Sequence, residues 1–155
     1  MKYDVATPYT ACYILFKRDN EVAFVLRSGT GWMDGYYGPP SGKVEHNESM
    51  LHAAVREAKE EVGADITESS LRHVLTLHRK SEDDSTLWID AYFEVITWEG
   101  ELYNAEPDKH GELTWFDISQ LPNNIIPSVQ FSLQEIIQGH TFAQFGWDNN
   151  TAHLG

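Results

Sequence analysis

The chain has 155 residues, with 24 Asp plus Glu against 11 Lys plus Arg and a formal net charge of -13. Apolar residues make up 41% and aromatics 12%, which suits a buried core at this length and argues against global disorder. So acidic a surface repels the phosphates of duplex nucleic acid and the headgroups of an anionic membrane. A small phosphorylated ligand then needs a local offset, for which bound divalent cations are suited.

Cys12 is the sole cysteine, so the chain has no intrachain disulfide and no cysteine-rich zinc site. MKYDVATPYT lacks the apolar run of a signal peptide, and nowhere do 18 apolar residues run together. The expectation is a reduced, cytoplasmic setting without a membrane span.

In chain order, Thr10–Lys17 and Glu21–Arg27 are β-branched and aromatic runs, and Arg18-Asp19-Asn20 between them makes a hairpin. Residues 28–42 read as a loop with five glycines and the pair Pro39-Pro40. From Glu48 to Val62 the apolar positions Leu51, Val55, Ala58 and Val62 recur at helical spacing, with Ala54 beside them. Asn47 is the expected N-cap, Glu48 favours the positive helix end, and Gly63 suits the C′ position. Strands are expected at Leu71–Lys80 and Thr86–Ile96 around the polar turn 81–85, and at Glu112–Asp117. A second helix follows at Ser128–Ile137, and the tail 140–155 carries Phe142, Phe145 and Trp147 without a clear period. Strands, helix, strands and helix in one unbroken chain imply a single α+β domain over 1–155, its core at about residues 10–137.

Glu57, Glu60 and Glu61 project from one side of the first helix, about opposite part of the apolar stripe. Carboxylates so close repel one another, and Arg56 and Lys59 offset them only in part. The cluster is either a solvated face or a set of hard oxygen ligands for magnesium or manganese. A glycine-rich loop leading into the helix favours ligands, because Gly42 has no side chain where a backbone carbonyl must approach an ion or phosphate.

The segment from Gly42 to Ala64, GKVEHNESMLHAAVREAKEEVGA, resembles the Nudix box of the MutT-like hydrolases. Gly42, Glu48, Arg56, Glu57, Glu60, Glu61 and Gly63 fill its fixed positions. Gly38-Pro39-Pro40-Ser41-Gly42 is similar to the family's approach to the box, and Leu113–Asp117 with Leu121-Pro122 to its last strand and turn. Departures are Pro39, His46-Asn47 and the alanines at 58 and 64, none of them at a charged position.

The resemblance implies the Nudix fold, a mixed β-sheet sandwiched between helices. It also implies metal-dependent hydrolysis of a nucleoside diphosphate linked to another group, with Mg2+ or Mn2+ as cofactor. Glu57, Glu60 and Glu61 would hold metal together with the Gly42 carbonyl, and one further carboxylate, Glu106 or Glu112, would reach it from a loop. The catalytic group is Glu57, Arg56 and Glu60, with Glu57 first among them to orient or deprotonate water. Arg56 would work mainly by a salt bridge to Glu48 that sets helix and loop, Glu48 and Gly63 being structural. Arg27, Lys43 and Tyr37 are placed at the substrate, although ordinary surface charge and wall aromatics read the same way. Trp32, Tyr36 and Trp115 share that ambiguity, and His46, His52, His78 and His110 have no metal-ligand spacing.

Leu77-His78-Arg79-Lys80 stands where an ADP-ribose subgroup has proline and a dinucleoside-polyphosphate subgroup has tyrosine. The expected substrate is therefore a small nucleoside triphosphate or a related nucleotide, and a homodimer is compatible. Two alternatives are a non-catalytic nucleotide-binding module, which normally loses box carboxylates, and an isopentenyl diphosphate isomerase-like enzyme. The latter needs a catalytic cysteine, and Cys12 on the first strand is poorly placed for it.

Overall fold

The structure is a computed structural model that describes residues 3–148 and 151–154. Strand β1 (Tyr9–Arg18) is its spine. Successive side chains of a strand point to opposite faces, so Ala11, Tyr13 and Leu15 enter one core while Cys12, Ile14 and Phe16 enter the other. Burial on both faces explains why the run is continuously apolar rather than alternating.

One edge of β1 pairs in parallel with β6 (Leu87–Val95), and the other takes β4 (Ser41–Lys43) antiparallel, Cys12 opposite Gly42. Its far end turns into β2 (Glu21–Arg27) through Lys17–Val22 and Arg18–Glu21, the expected hairpin. β2 is flanked by β3 (Tyr37–Gly38) and β7 (His110–Asp117). Beyond β6 lies β5 (Arg72–Lys80), antiparallel to it. The tail then supplies β8 (Phe142–Phe145), parallel to β5, and β9 (Thr151–Leu154) at the edge.

Helix α1 (Met50–Val62) covers one face through Ala53, Ala54, Ala58 and Val62 against Ile14, Phe16 and Phe93. Helix α2 (Pro127–Ile137) covers the other through Val129 and Leu133 against Phe24, Leu75, Leu77 and Tyr92. The expected α+β arrangement, a mixed sheet between helices, is what the chain forms.

Three local expectations are corrected. The N-cap of α1 is Ser49, whose side chain accepts from the His52 N–H at 3.1 Å, and not Asn47. Asn47 instead takes φ +62 in the preceding turn, a left-handed conformation Asn tolerates. Glu48 consequently lies before the helix rather than in its first turn. The buried stripe is also rotated. Leu51 is 37% exposed, and the inward rows are 53/57/61 and 54/58/62, so two glutamates point toward the sheet. The tail, which shows no clear period in the sequence, forms four-residue strands too short to display one, β8 held by pairing with β5 and β9 by pairing with β8.

Candidate functional site

Gly63 ends α1 at φ +69, where its N–H donates to the Lys59 carbonyl at 3.1 Å and the Ala64 N–H to the Ala58 carbonyl at 3.2 Å. A Cβ there would overlap the Tyr103 ring, so glycine is required by both conformation and space. At the other end Glu48 and Arg56 form a two-pronged ion pair, Nε–Oε2 at 2.7 Å and Nη2–Oε1 at 2.8 Å. This pair holds the Glu48 carboxyl down at about 2. The same guanidinium donates to the Lys43 carbonyl at 3.1 Å, to Glu57 at 2.7 Å and to Glu60 at 3.2 Å. Arg56 thereby ties β4, the turn before the helix and the carboxylate face together.

Small side chains at 53, 54 and 58 let α1 approach β1 and β4 closely, which carries Glu57 and Glu61 under the sheet edge. Glu57 packs against Gly42. A Cβ on Gly42 would overlap Glu57 Cδ and Oε1 and sit 2.6 Å from its Cγ. The backbone at Gly42 is outside the left-handed region, so space rather than φ demands glycine. The Gly42 carbonyl accepts the Cys12 thiol at 3.6 Å. Glu61 lies deeper, 8% exposed, and accepts the Ser41 N–H at 3.1 Å.

Glu106 comes from the loop before β7, its main chain anchored where the Ala105 N–H donates to the Glu61 carbonyl at 3.0 Å. Carboxylate oxygens of Glu57, Glu61 and Glu106 lie within 4.8 Å of one another. Burial raises the pKa of Glu57 against the pull of Arg56. Burial, with the neighbouring Glu57 charge, lifts Glu61 well above the ordinary carboxylate value, only partly opposed by the Ser41 N–H. Lys109 meets Glu106 at 3.1 Å. Three converging carboxylates, offset only in part by Arg56 on Glu57 and Lys109 on Glu106, are all hard oxygen donors and fit a divalent cation of the magnesium or manganese type.

The expected residues do not all meet there. Glu60 is half exposed and turned to Arg56, outside the group of three. Glu112 is bonded to the Tyr37 hydroxyl, and Tyr37 packs edge-on against Phe116, so neither joins the carboxylates. Of the two loop candidates, the structure brings Glu106 to Glu57 and Glu61.

Beside Gly42 opens a cleft of about 320 Å³, lined by Arg27, Trp32, Lys43, Arg79 and Trp88 and bordered by the turn at Ser81, Asp83 and Asp84. Arg27 lines it but is committed to its loop. Its Nε donates to the Trp32 carbonyl at 2.8 Å and Nη2 to Thr30 at 2.9 Å, with the guanidinium carbon 4.9 Å from the Trp32 ring centroid. Lys43 has no carboxylate partner among the described residues. Its Nζ stands 5.4 Å from the Tyr9 ring centroid and 5.7 Å from that of Trp88. Arg79, 6% exposed, pairs with the buried Asp90 at 2.6 Å and stacks 4.9 Å from Trp88.

The sequence reading missed Trp88 and Arg79, which look like ordinary strand residues until β6 and β5 set them at the cleft. His110, set aside for lack of metal spacing, lies 3% exposed at the start of β7 and is not one of the three converging groups. Trp115 stacks on Trp98 and under Arg18 instead of lining the cleft. Cys12 is fully buried, and burial pushes its thiol up to about 12, the wrong direction for a reactive thiolate.

The model of the NUDIX domain matches residues 6–136. The chain is 31% identical over 94 residues to the 8-oxo-dGTP diphosphatase of Proteus vulgaris, which covers 61% of this chain and 80% of that protein. It is 27% identical over 110 residues to the uncharacterized Nudix hydrolase YvcI of Bacillus subtilis, which covers 70% of this chain and 66% of that one. The chain thus spans a little under two-thirds of the Bacillus relative. Among solved structures, the MutT NUDIX hydrolase from Burkholderia pseudomallei superposes with a TM-score of 0.75 at 24% identity, covering 83% of this chain and 97% of its own. With the box residues set on α1 and β4 as described and the domain model spanning most of its length, this chain belongs to the Nudix family.

Proposed function

We propose that the protein is a divalent-metal-dependent pyrophosphohydrolase of a small nucleoside triphosphate or a related nucleoside diphosphate derivative. The observation that carries this reading is the convergence of Glu57, Glu61 and Glu106 beside the cleft that Gly42 and Ser41 line. Those three carboxylates would hold the ion, with Glu60 one helical step away on the solvent side. When bound, the ion would supply charge neutralisation for phosphate oxygens and activation of a water.

The chain's own residues account for the rest. Lys43, without a carboxylate partner among the described residues, offers a point charge to a phosphate at the mouth of the cleft. Trp88 and Trp32 present apolar faces on which a base can stack. Arg56 keeps Glu57 and Glu60 in place by direct hydrogen bonds, so it acts by positioning. Glu57 or Glu60 then orients the attacking water for in-line displacement at phosphorus.

The test is a nucleotide panel with Mg2+, read as pyrophosphate or phosphate released and nucleotide product formed. The Proteus relative's name makes an oxidised purine deoxynucleoside triphosphate the first compound to include. Turnover of at least one triphosphate that stops when excess chelator is added supports the reading. Binding without turnover across the panel would replace it with the non-catalytic module.

A further inference from the structure

Residues 28–36 join β2 to β3 as a strap that carries Trp32. Gly29, Gly31 and Gly35 all take positive φ there, and Met33 does so at +51. Glycine samples both signs of φ at little cost, so local preference alone does not fix such a segment. Hydrogen bonds do. At its base the Arg27 N–H donates to the Tyr36 carbonyl at 2.9 Å and the Gly35 N–H to the Arg27 carbonyl at 2.8 Å. At its tip Asp34 reaches back: Oδ1 accepts the Thr30 N–H at 3.0 Å and the Thr30 hydroxyl at 2.6 Å, and Oδ2 accepts the Gly31 N–H at 2.9 Å. Arg27 closes the net by donating through Nε to the Trp32 carbonyl and through Nη2 to the Thr30 hydroxyl oxygen.

Trp32 is 38% exposed, so core packing does not hold it. It lines the cleft beside Gly42, and also a hollow of about 280 Å³ that opens at the start of α2 beside Ile126, Pro127 and Ser128. A side chain that must be ordered at the moment of binding costs about two- to tenfold in affinity. Asp34 is exposed, and among the described residues its carboxylate bonds only within the strap. The Thr30 hydroxyl, with the Gly31 and Thr30 N–H groups, holds its carboxyl below the ordinary aspartate value, so it stays an ionised acceptor.

We propose that Asp34 is a positioning residue for substrate binding. Through Thr30 and Gly31 it keeps the strap closed, so that Trp32 is set at the cleft before a nucleotide arrives. The inference rests on the reading of this cleft as the nucleotide site, and it adds a residue that lies outside both the Nudix box and the carboxylate cluster. A wall set in advance lowers the ordering cost of binding and leaves the chemical step alone, so its loss raises KM and spares kcat.

Two measurements decide it. The first is nuclear magnetic resonance of the free protein, with Trp32→Phe used to assign the Trp32 indole. The unmodified protein should show a rigid Trp32 indole and slowed amide exchange at Thr30 and Gly31. Asp34→Ala should lose both, while its melting temperature stays within about 2 °C of the unmodified protein. The second is steady-state kinetics with the triphosphate of highest turnover in the panel. Asp34→Ala should raise KM about two- to tenfold with kcat within about twofold. Thr30→Val keeps the shape and removes the hydroxyl, and should act in the same direction, whereas Thr30→Ser should match the unmodified protein. Added to Trp32→Ala, Asp34→Ala should change KM no further, because nothing is left to position. A Trp32 indole still rigid in Asp34→Ala, an unchanged KM, or equal KM changes with and without Trp32 overturns the proposal. If the unmodified protein turns over no triphosphate, the functional reading fails, and the indole and amide measurements alone still decide whether Asp34 sets Trp32.

Discussion

Replacing Gly42 by alanine tests the contact between β4 and α1 most directly. The added methyl would overlap Glu57 Cδ and Oε1 and lie 2.6 Å from Cγ. Carbon atoms at rest sit about 3.5–4.0 Å apart, so the Glu57 side chain must move by roughly 1 Å or more. No left-handed backbone is involved, and the cost to folding is that of overpacking alone, about 1–3 kcal/mol. The cost to function is larger. Glu57 is one of the three converging carboxylates, and a displacement of about 1 Å in a positioned group loses roughly a hundredfold in rate. The shift also disturbs the Arg56–Glu57 hydrogen bond at 2.7 Å, so Mn2+ affinity should fall together with turnover. Ser41→Ala is the control. It is the Ser41 backbone N–H that serves Glu61, so loss of the hydroxyl should leave rate and affinity within about threefold, as expected for a substitution that removes no such contact. The assays are Mg2+ dependence of turnover, Mn2+ titration and a thermal melt of each variant. A Gly42→Ala protein with unchanged metal affinity and rate would show that Glu57 is free to move without consequence, and the packing argument would be wrong. Equal damage from Ser41→Ala would point to the hydroxyl instead.

Three further outcomes follow from the same geometry. Excess chelator should abolish hydrolysis, because three carboxylates without a cation repel a polyphosphate; full turnover in chelator would contradict the mechanism. Glu60→Gln and Glu61→Gln should each lower activity by about a hundredfold, yet they should differ in stability. Glu61 is buried with a raised pKa, so its charge destabilises the metal-free fold progressively as pH rises from 4.5 toward its raised value. Glu61→Gln should therefore melt higher than the unmodified protein at neutral pH without metal, and Glu60→Gln, half exposed, should melt at about the same temperature; identical melts for all three would place Glu61 at the surface. The Glu48 carboxyl, held at about 2 by Arg56, stabilises the fold above its unfolded value of 4.5 and loses that contribution as pH falls through about 2. Glu48→Gln should lower the melting temperature at pH 7 and flatten the acid side of the stability curve, and a variant with an unchanged curve would mean that the ion pair contributes nothing.

What the sequence determined by itself is local. Spacing along one helix put Arg56, Glu57, Glu60 and Glu61 within a turn or two of each other, and the fixed glycines and glutamates of the box made the family legible without any contact map. The strands around it were readable because β1 and β2 are apolar over their buried lengths. The rotation of the helix was not readable, since Leu51 and Val55 have the hydrophobicity of core residues while Glu57 does not. Only packing of the alanine face against β1 and β4 turned Glu57 and Glu61 inward. Choosing between Glu106 and Glu112 likewise lay beyond sequence, because six residues of loop and strand can present either carboxylate. The decision came from the Ala105–Glu61 main-chain bond on one side and the Tyr37 hydroxyl holding Glu112 on the other. Trp88 and Arg79 join the cleft from two different strands, β6 and β5. Their nearness is a product of strand order and register, which no short window of residues encodes.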